Sequence, residues 1–142
     1  RNLNLLYSFV SKGIPYPFGK YSNRRSFVSV ENLCFIIKEL IGNAKIESGI
    51  YNIADDISLS SIDLVKVISE VLCKPTRIIK LPKLFVWLIA KAGDLFPMPI
   101  NSERFYKLTK NYEVSNLKIK KAIKKKLPIS SKEGMKKTIA SF

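Results

Sequence analysis

Apolar side chains recur at helical spacing along much of this chain. Leu3, Leu6 and Val10, with Leu5 and Phe9 alongside, predict a helix over residues 2–10 that Gly13 ends. Leu33, Ile36, Ile37 and Leu40 line one face of a second, capped by Ser29 and ended by Gly42. Ser60-Ser61-Ile62-Asp63 is a capping box with Asp in place of Glu. Its helix carries Leu64, Ile68, Val71 and Leu72 and stops at Lys74-Pro75. Pro82 suits the first turn of a fourth helix reaching about Phe96, after which Pro97 and Pro99 bracket a loop. Asn101 or Ser102 opens a short helix toward Leu108. Asn116 starts a basic helix, and Ser130-Ser131-Lys132-Glu133 is a second capping box opening the last one.

Between these helices lie short runs that read as strands: residues 26–30, 49–54, 76–81 and, briefly, 112–114. Asp55-Asp56 stops the second and begins a turn. Helices alternating with strands favour a mixed α/β chain. No internal repeat is visible. The longest apolar run, residues 84–90, falls far short of the ~20 residues a membrane span needs. A chain that opens on Arg1, with neither an initiator Met nor a signal-peptide pattern, is expected to be a piece of a longer cytoplasmic protein.

Composition narrows the chemistry. The 142 residues are 46% hydrophobic, enough for a real core and too many for a disordered tail. Lys and Arg number 25 against 11 Asp and Glu, a net charge of +14 that favours acidic partners. Residues 101–142 hold 12 of the basic and only 3 of the acidic side chains. Histidine is absent, which removes His-based acid–base and nucleophile systems and nearly every zinc site. The metal-site expectation is therefore none. Cys34 and Cys73 cannot form a disulfide scaffold and are expected to be buried, reduced thiols.

Three patterns could carry function. Asn23-Arg24-Arg25-Ser26 follows a loop of two prolines and two glycines, and an arginine fork matches phosphate oxygens bidentately. On composition alone a solvated turn with surface ion pairs explains it better. The lysines at 118, 120, 121, 124, 125, 126, 132, 136 and 137 could track a nucleic-acid backbone, but no aromatic residues are interleaved with them, so a solvated basic face reads better. Tyr-x-x-x-Lys occurs at Tyr16/Lys20 and Tyr106/Lys110, and tyrosine and lysine are frequent enough here to give such pairs by chance. Pro17 and Gly19 interrupt the first, and no cofactor motif accompanies the second. No glycine run cradles a phosphate, so neither a catalytic nor a cofactor-binding residue is assigned within the chain.

The spacing across Asn2-Leu3, Leu5-Leu6, Gly13-Ile14-Pro15-Tyr16-Pro17-Phe18-Gly19 and Asn23-Arg24-Arg25-Ser26-Phe27-Val28-Ser29-Val30-Glu31-Asn32-Leu33 resembles the extended short-chain dehydrogenase/reductases, the NAD-dependent epimerase/dehydratase family. It looks most similar to nucleotide-sugar 4-epimerases and 4-ketoreductases that handle UDP-N-acetyl-deoxyhexoses in polysaccharide precursor synthesis. Gly49-Ile50-Tyr51-Asn52-Ile53-Ala54, Ser115-Asn116-Leu117-Lys118-Ile119 and Glu133-Gly134-Met135 extend the similarity to both ends. Glu31 stands where Asp is usual, and the Leu-Gly-Trp-x-Pro segment of the family becomes Ile123-Lys124-Lys125-Lys126-Leu127-Pro128.

The resemblance implies a C-terminal substrate-binding lobe of an α/β enzyme. Residues 1–29 and 55–142 would belong to that lobe. Residues 30–54 would form one helix-strand unit returning to the Rossmann-like sheet. The apolar face of that helix would then want a partner outside this chain. The dinucleotide-binding half, with NAD or NADP and the catalytic Tyr-x-x-x-Lys, would lie upstream, so this piece alone would be inactive. Arg25 matches the arginine that grips the nucleotide diphosphate, and Asn2 the asparagine lining the diphosphate and sugar cleft. A second phosphate contact belongs near Arg104 or Lys107. Arg24 is characteristic of the subgroup, and the loop containing Pro15 and Phe18 would flank the base. The expected partner is a UDP-sugar, with no specific nucleic acid and no membrane span. A homodimer of the full-length protein stays open. The alternatives are a basic nucleic-acid-binding module and a non-catalytic family member acting as a binding subunit.

Overall fold

The computed structural model describes residues 2–95 and 102–142. Among them seven helices form: α1 (Asn2–Ser11), α2 (Val30–Gly42), α3 (Ser61–Val71), α4 (Lys83–Leu95), α5 (Ser102–Thr109), α6 (Leu117–Ile123) and α7 (Ser131–Ala140). Their starts follow local chemistry. The Ser29 hydroxyl accepts the Asn32 N–H, and Ser130 accepts that of Glu133. Ser60 and Asp63 close a complete capping box, satisfying two of the otherwise unpaired N–H groups of the first turn. Gly13, at φ +69°, ends α1 in the left-handed region, with the Ile14 N–H donating to the Phe9 carbonyl at 2.8 Å. Cys73 and Lys124 take the same conformation after α3 and α6, at φ +51° and +52°. The predicted loop at Pro97 and Pro99, together with Phe96 and Asn101, lies outside the described residues.

The chain divides into two units, each assembled from two separate segments. The first comprises Arg1–Arg24 and Ser60–Asn111. In it α1 packs on α3, and Leu6, Phe9, Leu64, Val65 and Ile68 are buried. α5 packs on α4. The Pro/Gly loop is tied to residues 77–80: the Tyr16 N–H donates to the Arg77 carbonyl and the Ile79 N–H to the Tyr16 carbonyl, both at 2.8 Å. Gly19 is required there, because a Cβ would fall 2.7 Å from Ile78 and 2.9 Å from the Ile79 carbonyl oxygen.

The second unit comprises Arg25–Leu59 and Tyr112–Phe142. α2 packs on α6 around Ile36, Ile119 and Ile123, with Phe35, Leu40, Tyr51, Ile53 and Leu127 against them. Met135 and Ile139 bury one side of α7.

Four expectations need correction. The predicted strands do not assemble into ladders. Among the described residues only isolated bridges occur, Tyr16 with Ile78, Phe18 with Lys80, and Arg25 with both Leu59 and Tyr112. Residues 49–54 run without a bridge, and a strand exists only where a neighbour supplies its hydrogen bonds. The α/β reading therefore appears here as helices joined by extended segments. Secondly, Cys34 and Cys73 are both exposed, one on the outer side of α2 and the other in the turn after α3. Thirdly, the buried side of α2 centres on Asn32 and Ile36 rather than on Ile37. Val30, Cys34, Ile37 and Ile41 form an exposed stripe at helical spacing, with Ile41 82% exposed. Lastly, Asp55 does not merely end a strand; it is buried and anchors the start of α2.

Candidate functional site

The residues predicted to bind ligand divide between the two units. In the second unit the main chain of Arg25 is held on both edges. Its N–H donates to the Leu59 carbonyl at 3.0 Å and its carbonyl accepts the Leu59 N–H at 2.9 Å. The next N–H, that of Ser26, donates to the Tyr112 carbonyl at 2.9 Å, and the Ser26 hydroxyl accepts the Val114 N–H at 3.0 Å. The guanidinium thus starts from a fixed backbone, and the side chain is half-buried. A positioned guanidinium suits a doubly charged ligand, because less rotamer freedom is lost on each hydrogen bond formed.

Behind this segment lies a buried polar cluster that spacing did not reveal. The Asp55 carboxylate accepts the Ser29 N–H at 3.1 and 3.2 Å and the Asn32 side-chain amide at 2.7 Å. Asn32 also bridges to the segment that leads into α7: its amide donates to the Ile129 carbonyl at 3.0 Å and its carbonyl accepts the Ile129 N–H at 3.2 Å. Gly134 lets α7 approach closely, since a Cβ there would fall 2.4 Å from the Ser29 Cβ. The only hint in the sequence is the cap serine, Ser29, and it does not mark burial. On the surface of the same unit, hydrogen bonds from Lys120 and Asn116 hold the Asp56 carboxyl below its ordinary range against a partial desolvation cost.

In the first unit Asn23 is buried and locked to the start of α3. Its amide donates to the Ser61 hydroxyl at 3.0 Å, and its carbonyl accepts the Ser61 N–H at 3.1 Å. The Arg24 N–H donates to the Asn111 side chain at 2.9 Å. Ser22, Asn23, Arg24, Ser60, Ile62, Asp63 and Asn111 line an open cleft of about 460 Å³. Arg24 and Asp63 give it both charges. Phe18 is buried in an aromatic cluster, edge-to-face with Tyr16 at 5.2 Å and beside Phe105 at 5.7 Å, whereas Pro15 is exposed. Lys107 is exposed on α5 and paired with Glu103 one turn earlier. Asn2 and Arg104 sit on α1 and α5, and their side chains lie outside the described residues. Tyr106 and Lys110 meet as a cation–π pair, with the ammonium 4.7 Å from the ring centroid.

No family model matches the chain. It is 32% identical over 142 residues to a UDP-glucose 4-epimerase of Vibrio cholerae, covering 99% of this chain and 42% of the relative. It superposes with a TM-score of 0.58 on the dTDP-glucose 4,6-dehydratase of Bacillus anthracis in complex with NAD, at 15% identity over 98% of this chain and 37% of that one. The UDP-glucose 4-epimerase of Thermus thermophilus in complex with NAD gives the same TM-score of 0.58, at 17% identity over 97% of this chain and 38% of the other. The chain therefore spans about two fifths of the length of the proteins it matches.

Proposed function

We propose that this chain belongs to the NAD-dependent epimerase/dehydratase family of extended short-chain dehydrogenase/reductases and is the C-terminal, sugar-nucleotide-binding part of an epimerase or 4-ketoreductase. The observation that supports this is the match of 99% of this chain to 42% of a UDP-glucose 4-epimerase. The favoured substrate is a UDP-hexose, of the UDP-N-acetyl-deoxyhexose class used for polysaccharide precursors. None of the six glycines forms a dinucleotide cradle, so these residues do not fit NAD or NADP. The cofactor and the proton-transferring groups belong to sequence this chain does not span. What this chain contributes is binding and orientation.

Arg25 is assigned to the diphosphate, supported by its doubly held main chain. Asn2, Arg104 and Lys107 are assigned as supporting contacts, with Arg24, Pro15 and Phe18 as further neighbours of the nucleotide. Binding energy gathered at a diphosphate, remote from the reacting carbon, fixes where the sugar ring sits. Residues 30–54 are assigned to the cofactor-binding half, and the exposed stripe on α2 supports that placement.

Arg25→Ala in the intact enzyme tests the reading. Loss of a charge-assisted bidentate contact should raise KM for the sugar nucleotide by about 10–100-fold with a smaller change in kcat. Unchanged kinetics would remove Arg25 from the site. A nucleic-acid role for the lysine-rich helices is disfavoured by their pairing. Lys120 meets Asp56 at 2.8 Å, Lys125 meets Glu39 at 2.7 Å and Lys137 meets Glu31 at 3.0 Å. A steep loss of affinity for DNA with salt, absent for UDP-sugar, would restore it.

A further inference from the structure

Over residues 84–88, α4 is built inside out. Val86 is buried, while Leu84, Phe85, Trp87 and Leu88 stand 66, 59, 49 and 49% exposed. At 100° per residue these four share one face, and Val86 points away from it. Lys91 continues that face one turn on and is exposed. Four large apolar side chains grouped in this way constitute a surface that calls for a partner.

Charge decides which partner fits. Between Glu70 and Asp94 the chain has no carboxylate, whereas it carries Lys74, Arg77, Lys80, Lys83 and Lys91. The unit that contains α4 holds 13 Lys and Arg against 4 Asp and Glu. Two copies joined through α4 would bring two strongly cationic bodies together. An anionic lipid surface instead accepts both features: phosphate headgroups meet the lysines, and Trp, Phe and Leu enter the boundary between headgroups and acyl chains. A tryptophan ring is favoured at that depth, where one edge stays wet. We propose that α4 seats this protein on an anionic membrane surface as a peripheral, non-spanning contact.

Trp87 is the only tryptophan of the chain, so its fluorescence reports on the site directly. The experiment titrates the whole chain with vesicles of phosphatidylcholine, alone or mixed with phosphatidylglycerol, and follows both Trp87 emission and co-flotation. The mixed vesicles should shift the emission to the blue and carry the protein with them, and added salt should weaken both effects. Leu84→Glu and Leu88→Glu should each reduce partitioning at least about tenfold. Both positions are exposed, so circular dichroism should stay unchanged and separate lost docking from lost folding. Failure to bind the mixed vesicles overturns the proposal. So does binding indifferent to lipid charge. A blue shift that appears without lipid on concentrating the protein, accompanied by dimer mass and abolished by Leu88→Glu, assigns the face to a second copy instead and likewise overturns it.

Discussion

Asn32 is entirely buried and makes three hydrogen bonds there, one to Asp55 and two to the main chain of Ile129. Replacing it by Ala strips a partner from Asp55 and leaves both the N–H and the carbonyl of Ile129 unpaired. A cost of about 2–4 kcal/mol follows, read as a lower urea midpoint. A shift within experimental error would show that water replaces the amide at no cost. Asp56 gives a pH test. Folding holds its carboxyl below the ordinary range, chiefly through Lys120, so the stabilisation is complete above about pH 4 and disappears as pH falls through the folded-state value. Lys120→Met should therefore lower stability near neutrality and converge with the parent in acid. A gap that stays constant down the acid limb would mean that Lys120 acts through packing. In this chain by itself the exposed cysteines should both react with a soluble thiol reagent. At this scale the sequence was least legible. Asn23, Asn32 and Asp55 are polar, and only partners far along the chain decide that they are buried. Arg25 could be singled out because an arginine pair after a rigid loop is a local pattern.

Helices were the legible elements because their signals are local. Ser29, Ser60 and Ser130 each cap the helix predicted for them, and Gly13 ends the first. Where a helix ends on a residue unsuited to the left-handed region, nothing in the sequence announces it, as at Cys73 and Lys124. Those ends store strain, which makes a prediction. Lys124→Gly relieves the positive φ at the end of α6 and should raise stability by about 0.5–1 kcal/mol, after the added chain entropy of glycine is counted. Destabilisation would mean that the lysine side chain contributes more than the strain costs. The extended runs were legible as extended and illegible as strands. Residues 76–81 found Tyr16 and Phe18 as partial neighbours, while residues 49–54 found none. Pairing is a property of two segments, and one sequence segment states only half of it.

The resemblance behind the proposed family was spread along the whole chain, whereas individual site residues rest on single positions. The division into two units was not legible, because the chain passes between them at Arg24–Arg25, Leu59–Ser60 and Asn111–Tyr112, where no glycine or proline marks a linker. The feature that matters at this scale is the stripe of Val30, Cys34, Ile37 and Ile41 on α2. Apolar side chains at four successive helical positions, facing away from their own core, make sense if sequence beyond this chain covers them. Ile41 is 82% exposed, so Ile41→Lys should leave the stability of the chain by itself within about 0.5 kcal/mol. Under the proposed placement of residues 30–54, the same change in a longer protein whose further sequence covers the stripe would bury a lysine against an apolar neighbour and should cost about 1–3 kcal/mol. Equal stability in both settings would leave the stripe uncovered and detach residues 30–54 from the cofactor-binding half. A loss in the isolated chain would instead place Ile41 in a contact this unit makes by itself. The two-setting comparison separates these cases because the substitution is the same and only the covering sequence differs.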